Sequence, residues 1–206
     1  MKRKIASALF ILVCGGLAVS ALMHMMGDAY PPATGLTESE NRILAHVLAH
    51  RFADGGYNVV SPRTVVAPLW GNDAGSTEAR RQQITTALEQ KNPAAASMVA
   101  RLYQRNAASV QLALKSDPAQ GYLVDDGSYE ALFKPEGGGW KQWREQHPKA
   151  HGYIRFSRPV YDPATGLFLV YVEGRDPVSG IGVVKMMKDD HGTITTVGVV
   201  QLWKRE

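Results

Sequence analysis

The chain of 206 residues carries 23 Lys and Arg against 19 Asp and Glu, which gives a net charge of +4. Three of these positive charges, Lys2, Arg3 and Lys4, precede a long apolar run, and the residues after position 21 have a net charge of only +1. A nearly neutral domain lacks the basic surface that binds nucleic acid, so we expect no nucleic-acid partner. Cys14, the only cysteine, lies in the apolar run. The rest of the chain therefore has no disulfide and no thiolate metal site.

Residues 1–26 are predicted to be a signal peptide or an N-terminal membrane anchor. A basic start is followed by 19 uncharged residues from Ile5 to Met23. Small side chains up to Ala21 indicate cleavage there. The run also has about the 20 residues that a helix needs to cross a bilayer, so residues 5–26 would anchor the protein in the inner membrane if uncleaved. In both cases we expect an exported protein, which is periplasmic, secreted or anchored outside the cytoplasm.

The exported part is predicted to consist of a linker, residues 27–36, and a single domain, residues 37–206. Pro31 and Pro32 prevent a helix from continuing through the linker. Thr37 and Glu40 then have the spacing of a capping box, which predicts a helix that continues to about residue 54. A short strand follows at residues 57–61, with a second extended piece at 64–69.

Two further helices are predicted in the next 40 residues. One runs through residues 79–90, and Asn92 with Pro93 caps a second one through residues 94–104. Both segments are rich in Ala and Gln and contain few large apolar residues. We therefore expect these two helices to lie on the surface.

The C-terminal half is predicted to be a short helix followed by a sheet. Trp140 and Trp143 lie in the helix, and strands follow at residues 153–160, 167–173, 183–188 and 193–203. Strands that are joined by tight turns pair antiparallel. The predicted fold class is α+β, with N-terminal helices packed on a C-terminal four-stranded antiparallel meander.

Part of this region follows a pattern that is known from other proteins. The pattern comprises Gly139 and Trp140, then Pro148 and Gly152, the run Phe156, Ser157, Arg158, Pro159, the run Leu169, Val170, Tyr171, Val172, and finally Gly180 and Gly182. In these residues the chain resembles a family of small exported bacterial α+β proteins, over roughly residues 122–203 with weaker similarity around Arg105 and Asn106. The resemblance implies the fold of the C-terminal half but no activity, ligand or catalytic residue.

The strongest candidate for binding is a basic segment between residues 140 and 158. Its candidate residues are Arg144, Lys149, Arg155 and Arg158, which would form an anion-binding surface for cell-wall polymer or lipid headgroups. Strand side chains alternate between faces, which places Arg155 and Arg158 on different faces of a regular strand. The simpler interpretation is a solvated face with one structural arginine.

The candidate for metal binding is a weaker one. His46 and His50 are four residues apart on the first predicted helix, a spacing at which two imidazoles share one face. A zinc peptidase would need Glu at position 47 as its general base, and this position is Val47. We predict no cofactor and no metal, with His46 and His50 as the only alternative.

Three functional hypotheses remain at this point. The leading one is a non-enzymatic binding or interaction domain of the envelope, whose partner is an envelope protein or a cell-wall polymer. The second is a periplasmic hydrolase with a histidine and a carboxylate in its site. The third is an inhibitor or immunity-type protein that presents the loop at residues 176–182. No catalytic residue can be named from the sequence.

Overall fold

The computed structural model describes residues 36–49, 52–67, 70 and 77–206. The predicted targeting segment lies outside the described residues, as does nearly all of the linker. The described residues belong to one unit, Thr34–Glu206. Among the described helices, none has the length and the apolar character that crossing a bilayer requires.

The first half of the described chain is mainly helical, and five consecutive strands form its C-terminal part. The helices are α1 (Glu38–Leu48), α2 (Thr77–Glu89), α3 (Pro93–Ser97), α4 (Val99–Arg105), α5 (Ser128–Leu132) and α6 (Gly139–Gln146). The strands are β1 (Tyr57–Val60), β2 (Tyr122–Val124), β3 (Ala150–Phe156), β4 (Val160–Asp162), β5 (Leu167–Arg175), β6 (Gly180–Asp190) and β7 (Thr193–Arg205).

Helix α1 begins with the predicted capping box. The Glu40 N–H donates to the Thr37 hydroxyl at 3.2 Å, and the Thr37 N–H donates to the Glu40 carboxylate at 2.7 Å. Two backbone donors that the first helical turn leaves unpaired are thus satisfied. The helix ends at Leu48, earlier than predicted, and Ala49 is its extended C-terminal cap.

All seven described strands belong to one mixed sheet with the order β2-β1-β3-β5-β6-β7, while β4 pairs with β5. Strands β3, β5, β6 and β7 form antiparallel neighbours, but β1 pairs parallel with both β2 and β3. The prediction of α+β is confirmed, whereas the four-stranded antiparallel meander is wrong. Hairpin turns reveal antiparallel neighbours, but parallel neighbours are joined by long connections that carry no such signal.

The helices are not all N-terminal, as the predicted fold class had them, although the helix predicted at Trp140 and Trp143 is present as α6. Helices α5 and α6 follow β2 and pack through Leu132 and Trp143 against Val59 and Tyr153 of the sheet. The sheet is therefore covered by helices from both halves of the chain.

Each face of the sheet has its own core. We call the side of Tyr171 and Glu173 the first face, and the side of Val170 and Val172 the second face, because neighbouring strand residues point in opposite directions. Helices α2 to α4 pack on the first face, next to α5 and α6. Helix α1 packs on the second face.

Helices α2 to α4 keep one side exposed, in line with the prediction that they lie on the surface, but they also contribute seven of the 18 buried residues of the main first-face cluster. Ile84, Leu88, Met98 and Leu102 are completely buried. A few large apolar residues at helical spacing are enough to pack one side of these helices on the sheet, because alanines such as Ala95 let the backbone approach it closely.

A buried ionic cluster joins the two layers of helices. Glu40 of α1 accepts hydrogen bonds from Arg105 Nε at 3.0 Å and from Arg158 Nε at 3.1 Å. The neighbouring Asn106 donates to the Arg158 carbonyl at 2.9 Å and accepts from the Arg158 N–H at 2.6 Å. Burial by itself raises the pKa of Glu40, but the hydrogen bonds from Thr37, Arg158 and Arg105 hold that pKa below its usual range.

Candidate binding cleft

A cleft of about 320 Å³ opens on the second face, near the ends of several strands. Its floor contains one row of paired residues that crosses four strands. Ile154 of β3 pairs with Gly174 of β5, Gly174 pairs with Ile181 of β6, and Ile181 pairs with Lys204 of β7. Because directly paired residues lie on the same face, these four residues form a continuous strip.

Gly174 makes the cleft possible. The seven residues of β5 that precede it are all buried. A Cβ atom added to Gly174 would meet no atom within 4 Å, so the missing side chain leaves open space between Ile154 and Ile181. The strip is therefore apolar and accessible in its middle and cationic at its Lys204 end.

One wall of the cleft is the tight turn between β5 and β6. The Asp176 carboxylate accepts hydrogen bonds from the N–H groups of Val178 at 2.8 Å and Ser179 at 2.7 Å, and from the Ser179 hydroxyl at 2.5 Å. Burial raises the pKa of Asp176, but these hydrogen bonds outweigh burial and lower that pKa. The loop predicted at residues 176–182 is thus shorter than expected, because Gly180 already belongs to β6.

The lining of the cleft also includes a histidine, His151, that contacts a carboxylate. His151 Nε2 lies 3.1 Å from Asp54 Oδ1, and the His151 ring stacks on Phe52 with 4.0 Å between ring centroids. Gly56 allows this position, because a Cβ atom there would lie 2.3 Å from His151 Nε2. The hydrogen bond from the Gly56 N–H and the contact with His151 lower the pKa of Asp54.

A second ionic cluster lies on the first face, behind the cleft. The Glu173 carboxylate is 1 % exposed and contacts Arg155 Nε at 2.6 Å and Arg175 Nε at 3.3 Å. The Tyr171 hydroxyl donates to Glu173 at 2.8 Å and accepts from Trp203 Nε1 at 2.9 Å. The two arginine side chains are each about a quarter exposed, at 25 % and 27 %.

The paired glycines of β6 explain how Trp203 reaches this cluster. A Cβ atom on Gly182 would lie 2.0 Å from Trp203 Nε1, and one on Gly180 would lie 3.0 Å from the Trp203 ring. Two glycines that are two residues apart on one face of a strand thus leave a flat surface on which an aromatic side chain can pack. This spacing is the sequence signal that could have located the cluster before the structure was known.

The structure does not bring the four basic candidates together. Arg155 pairs with Glu173 and Arg158 with Glu40, so alternation along the strand separates them as expected. Arg144 and Lys149 are exposed, on α6 and in the loop that follows it. The binding role of these four residues stays a prediction, and the cleft draws its positive charge from other residues.

The histidine pair of α1 is only half described. His46 is exposed, and His50 lies outside the described residues. Within the described part of the chain, no group of three or more His, Cys, Asp or Glu side chains is placed to hold a metal ion.

Sequence reasoning missed the cleft because its residues come from five strands. Asn58, Ile154, Gly174, Ile181 and Lys204 belong to β1, β3, β5, β6 and β7. Only the sheet order and register bring them side by side. Comparisons of the chain with protein-family models, with curated proteins and with solved structures find no match.

Proposed function

We propose that residues 37–206 form a non-enzymatic binding domain in the bacterial envelope, and that its partner, an envelope protein or a cell-wall polymer, contacts the cleft. The observation that carries this proposal is the open floor at Gly174, which follows seven buried residues of β5 and lies between Ile154 of β3 and Ile181 of β6. Accessible apolar floors of this kind with a few polar groups at their rim are typical of ligand sites. The apolar N-terminal run supports export.

Photocrosslinking in intact cells tests the proposal. A photoreactive amino acid replaces Ile181, which lies in the cleft and is 40 % exposed. The control replaces Tyr161, which is 38 % exposed but does not line the cleft. We expect a crosslinked product from position 181 only, and we expect Gly174→Leu to remove it because the leucine fills the floor.

Equal crosslinking from positions 181 and 161 would contradict the proposal, as would a product that Gly174→Leu leaves unchanged. A further control, Ala100→Leu, adds the same side chain to an exposed position of α4. This variant should crosslink as the wild-type chain does.

The contact between His151 and Asp54 favours a second candidate, a periplasmic hydrolase. A histidine held by a carboxylate at the rim of a cleft can act as a general base. The test is hydrolysis of a panel of esters and amides by the purified protein. Activity that His151→Ala abolishes and His46→Ala retains would establish this candidate in place of the first, and no turnover in the panel would argue against it.

A further inference from the structure

Lys204 brings a positive charge to the floor of the cleft, although the domain as a whole is nearly neutral. Arg175 and Arg205 also line the cleft, but both pair with Gly180 on the first face, where Arg175 contacts Glu173 and Trp203. Asp176 is the only carboxylate in the lining among the described residues. The Asp176 oxygens already accept hydrogen bonds from the backbone and the hydroxyl group of their own turn. This carboxylate therefore stabilises the turn and is a poor partner for the neighbouring cations.

Lys204 is the cation in the floor row. Its ammonium group contacts Glu206, but both side chains are more than half exposed, at 52 % and 80 %. Exposed ion pairs of this kind contribute little to stability, so a ligand can displace Glu206 easily. Arg205 is held more loosely, by a 3.4 Å contact between Nη2 and the Asp176 carbonyl.

The apolar part of the ligand is indicated by the floor itself. Ile154 and Ile181 flank the open position at Gly174, and no acidic residue shares this row. A ligand that fits must therefore combine an aliphatic portion with a negative charge at one end. The volume of the cleft, about 320 Å³, is that of a small molecule or of one segment of a polymer.

We propose that the cleft binds an aliphatic carboxylate, with the aliphatic part over Gly174 and the carboxylate beside Lys204. This inference rests on the proposed function and specifies the chemistry of its ligand. Two sources have this chemistry: a fatty acid, and the carboxyl-terminal end of a peptide with small apolar side chains. Burial of the aliphatic part supplies affinity, and the cation fixes the orientation.

The test uses two pairs of probes with the full-length protein in detergent micelles. One pair is octanoate and octanol, and the other is N-acetyl-alanyl-alanine and its C-terminal amide. Backbone amide signals are followed by NMR as each probe is added. We expect at least one carboxylate to shift the signals of Gly174 and Ile181 at a concentration at least tenfold lower than its uncharged partner does.

Two variants check the two parts of the proposal. Lys204→Gln should weaken binding of the carboxylate about tenfold and leave the uncharged probe unaffected. Lys188→Gln, an exposed lysine elsewhere on β6, is its matched control and should bind as the wild-type chain does. Gly174→Leu should abolish binding of all probes at this position.

Each result either supports or overturns the proposed ligand chemistry. Preference for octanoate identifies a fatty acid as the source, and preference for the acetylated dipeptide identifies a peptide end. Equal binding of charged and uncharged probes, or no shift at Gly174 with any probe, overturns the proposed ligand chemistry. If crosslinking from position 181 persists in that case, the proposed function stands and only the ligand class is wrong.

Discussion

Glu40 holds together three segments that are far apart in the chain. Its carboxylate completes the N-terminal cap of α1 and also accepts hydrogen bonds from Arg105 and Arg158. A buried carboxylate of this kind must be ionised to attract both guanidinium groups. The stability of the fold therefore depends on the protonation of one residue.

Replacing the Glu40 carboxylate should destabilise the fold. Glu40→Gln removes the charge that both arginines contact in the interior, and we expect the free energy of unfolding at pH 7 to fall by about 3–5 kcal/mol. Urea denaturation followed by circular dichroism measures the change. Glu89→Gln, at the exposed end of α2, is the control and should change stability by less than about 0.5 kcal/mol.

Glu40→Gln should also change how the free energy of unfolding depends on pH. The pKa of Glu40 is lower in the folded chain than its ordinary value of 4.5. Its contribution to stability is therefore complete above pH 4.5 and is lost as the pH falls from there through the folded pKa. Glu40→Gln should lose less stability than the wild-type chain over this acidic range, and parallel curves for the two proteins would contradict the role of Glu40.

Two glycines of the sheet provide a matched comparison. Gly182→Ala places a Cβ atom 2.0 Å from Trp203 Nε1, whereas Gly174→Ala places one in open space. We expect Gly182→Ala to cost about 1–3 kcal/mol, because the Trp203 ring must move and lose its hydrogen bond to Tyr171. Gly174→Ala should be neutral to within about 0.5 kcal/mol. Thermal denaturation of both variants makes the comparison, and equal costs would contradict this account of Trp203.

At the scale of elements, α4 shows how few large side chains are needed to dock a helix. Val99, Leu102 and Tyr103 face the sheet, and Asn106 ties the end of the helix to the backbone of Arg158. Asn106 is completely buried and satisfied on both sides of its amide group. The helix is thus fixed by packing along its length and by a hydrogen-bonded anchor at its end.

This arrangement predicts a large difference between neighbouring positions. Leu102→Ala should destabilise the domain by about 2–5 kcal/mol, because it leaves a cavity in the first-face core. Gln104→Ala, on the exposed side of the same helix, should have almost no effect. Urea denaturation measures both variants, and similar values would mean that α4 does not pack as described.

Most helices and strands could be predicted from local sequence signals. The pairing of strands that are distant in the sequence could not. Thr37 and Asn92 cap helices where the sequence places them, because a cap depends on residues three positions away. The parallel pairing of β1 could not be predicted, since its partner strands begin at residues 122 and 150. The floor of the cleft depends on the register in which β3, β5, β6 and β7 pair, which turn signals do not give. Only the separation of Arg155 from Arg158 was accessible from alternation along the strand.

At the scale of the whole molecule, one sheet serves two cores. In β5, Tyr171 belongs to the core of the first face, and Val170 and Val172 belong to the core of the second. Neither core can come apart without disturbing strands that the other one needs. We therefore expect the domain to unfold as one cooperative unit.

This prediction is checked with two spectroscopic probes. Far-ultraviolet circular dichroism and tryptophan fluorescence should give the same urea midpoint for the wild-type chain. Leu44→Ala in the second-face core and Leu102→Ala in the first-face core should each shift both probes equally. Separate midpoints for the two probes would show that the two cores unfold independently.

The contact between Glu40 and Arg158 spans 118 positions of the chain. A ribosome synthesises the polypeptide from its N-terminus, so α1 emerges long before the arginine that neutralises Glu40. Until then, the apolar side of α1 and the Glu40 carboxylate lack their packing and ion-pair partners. The final architecture can therefore form only after Arg158 has been synthesised.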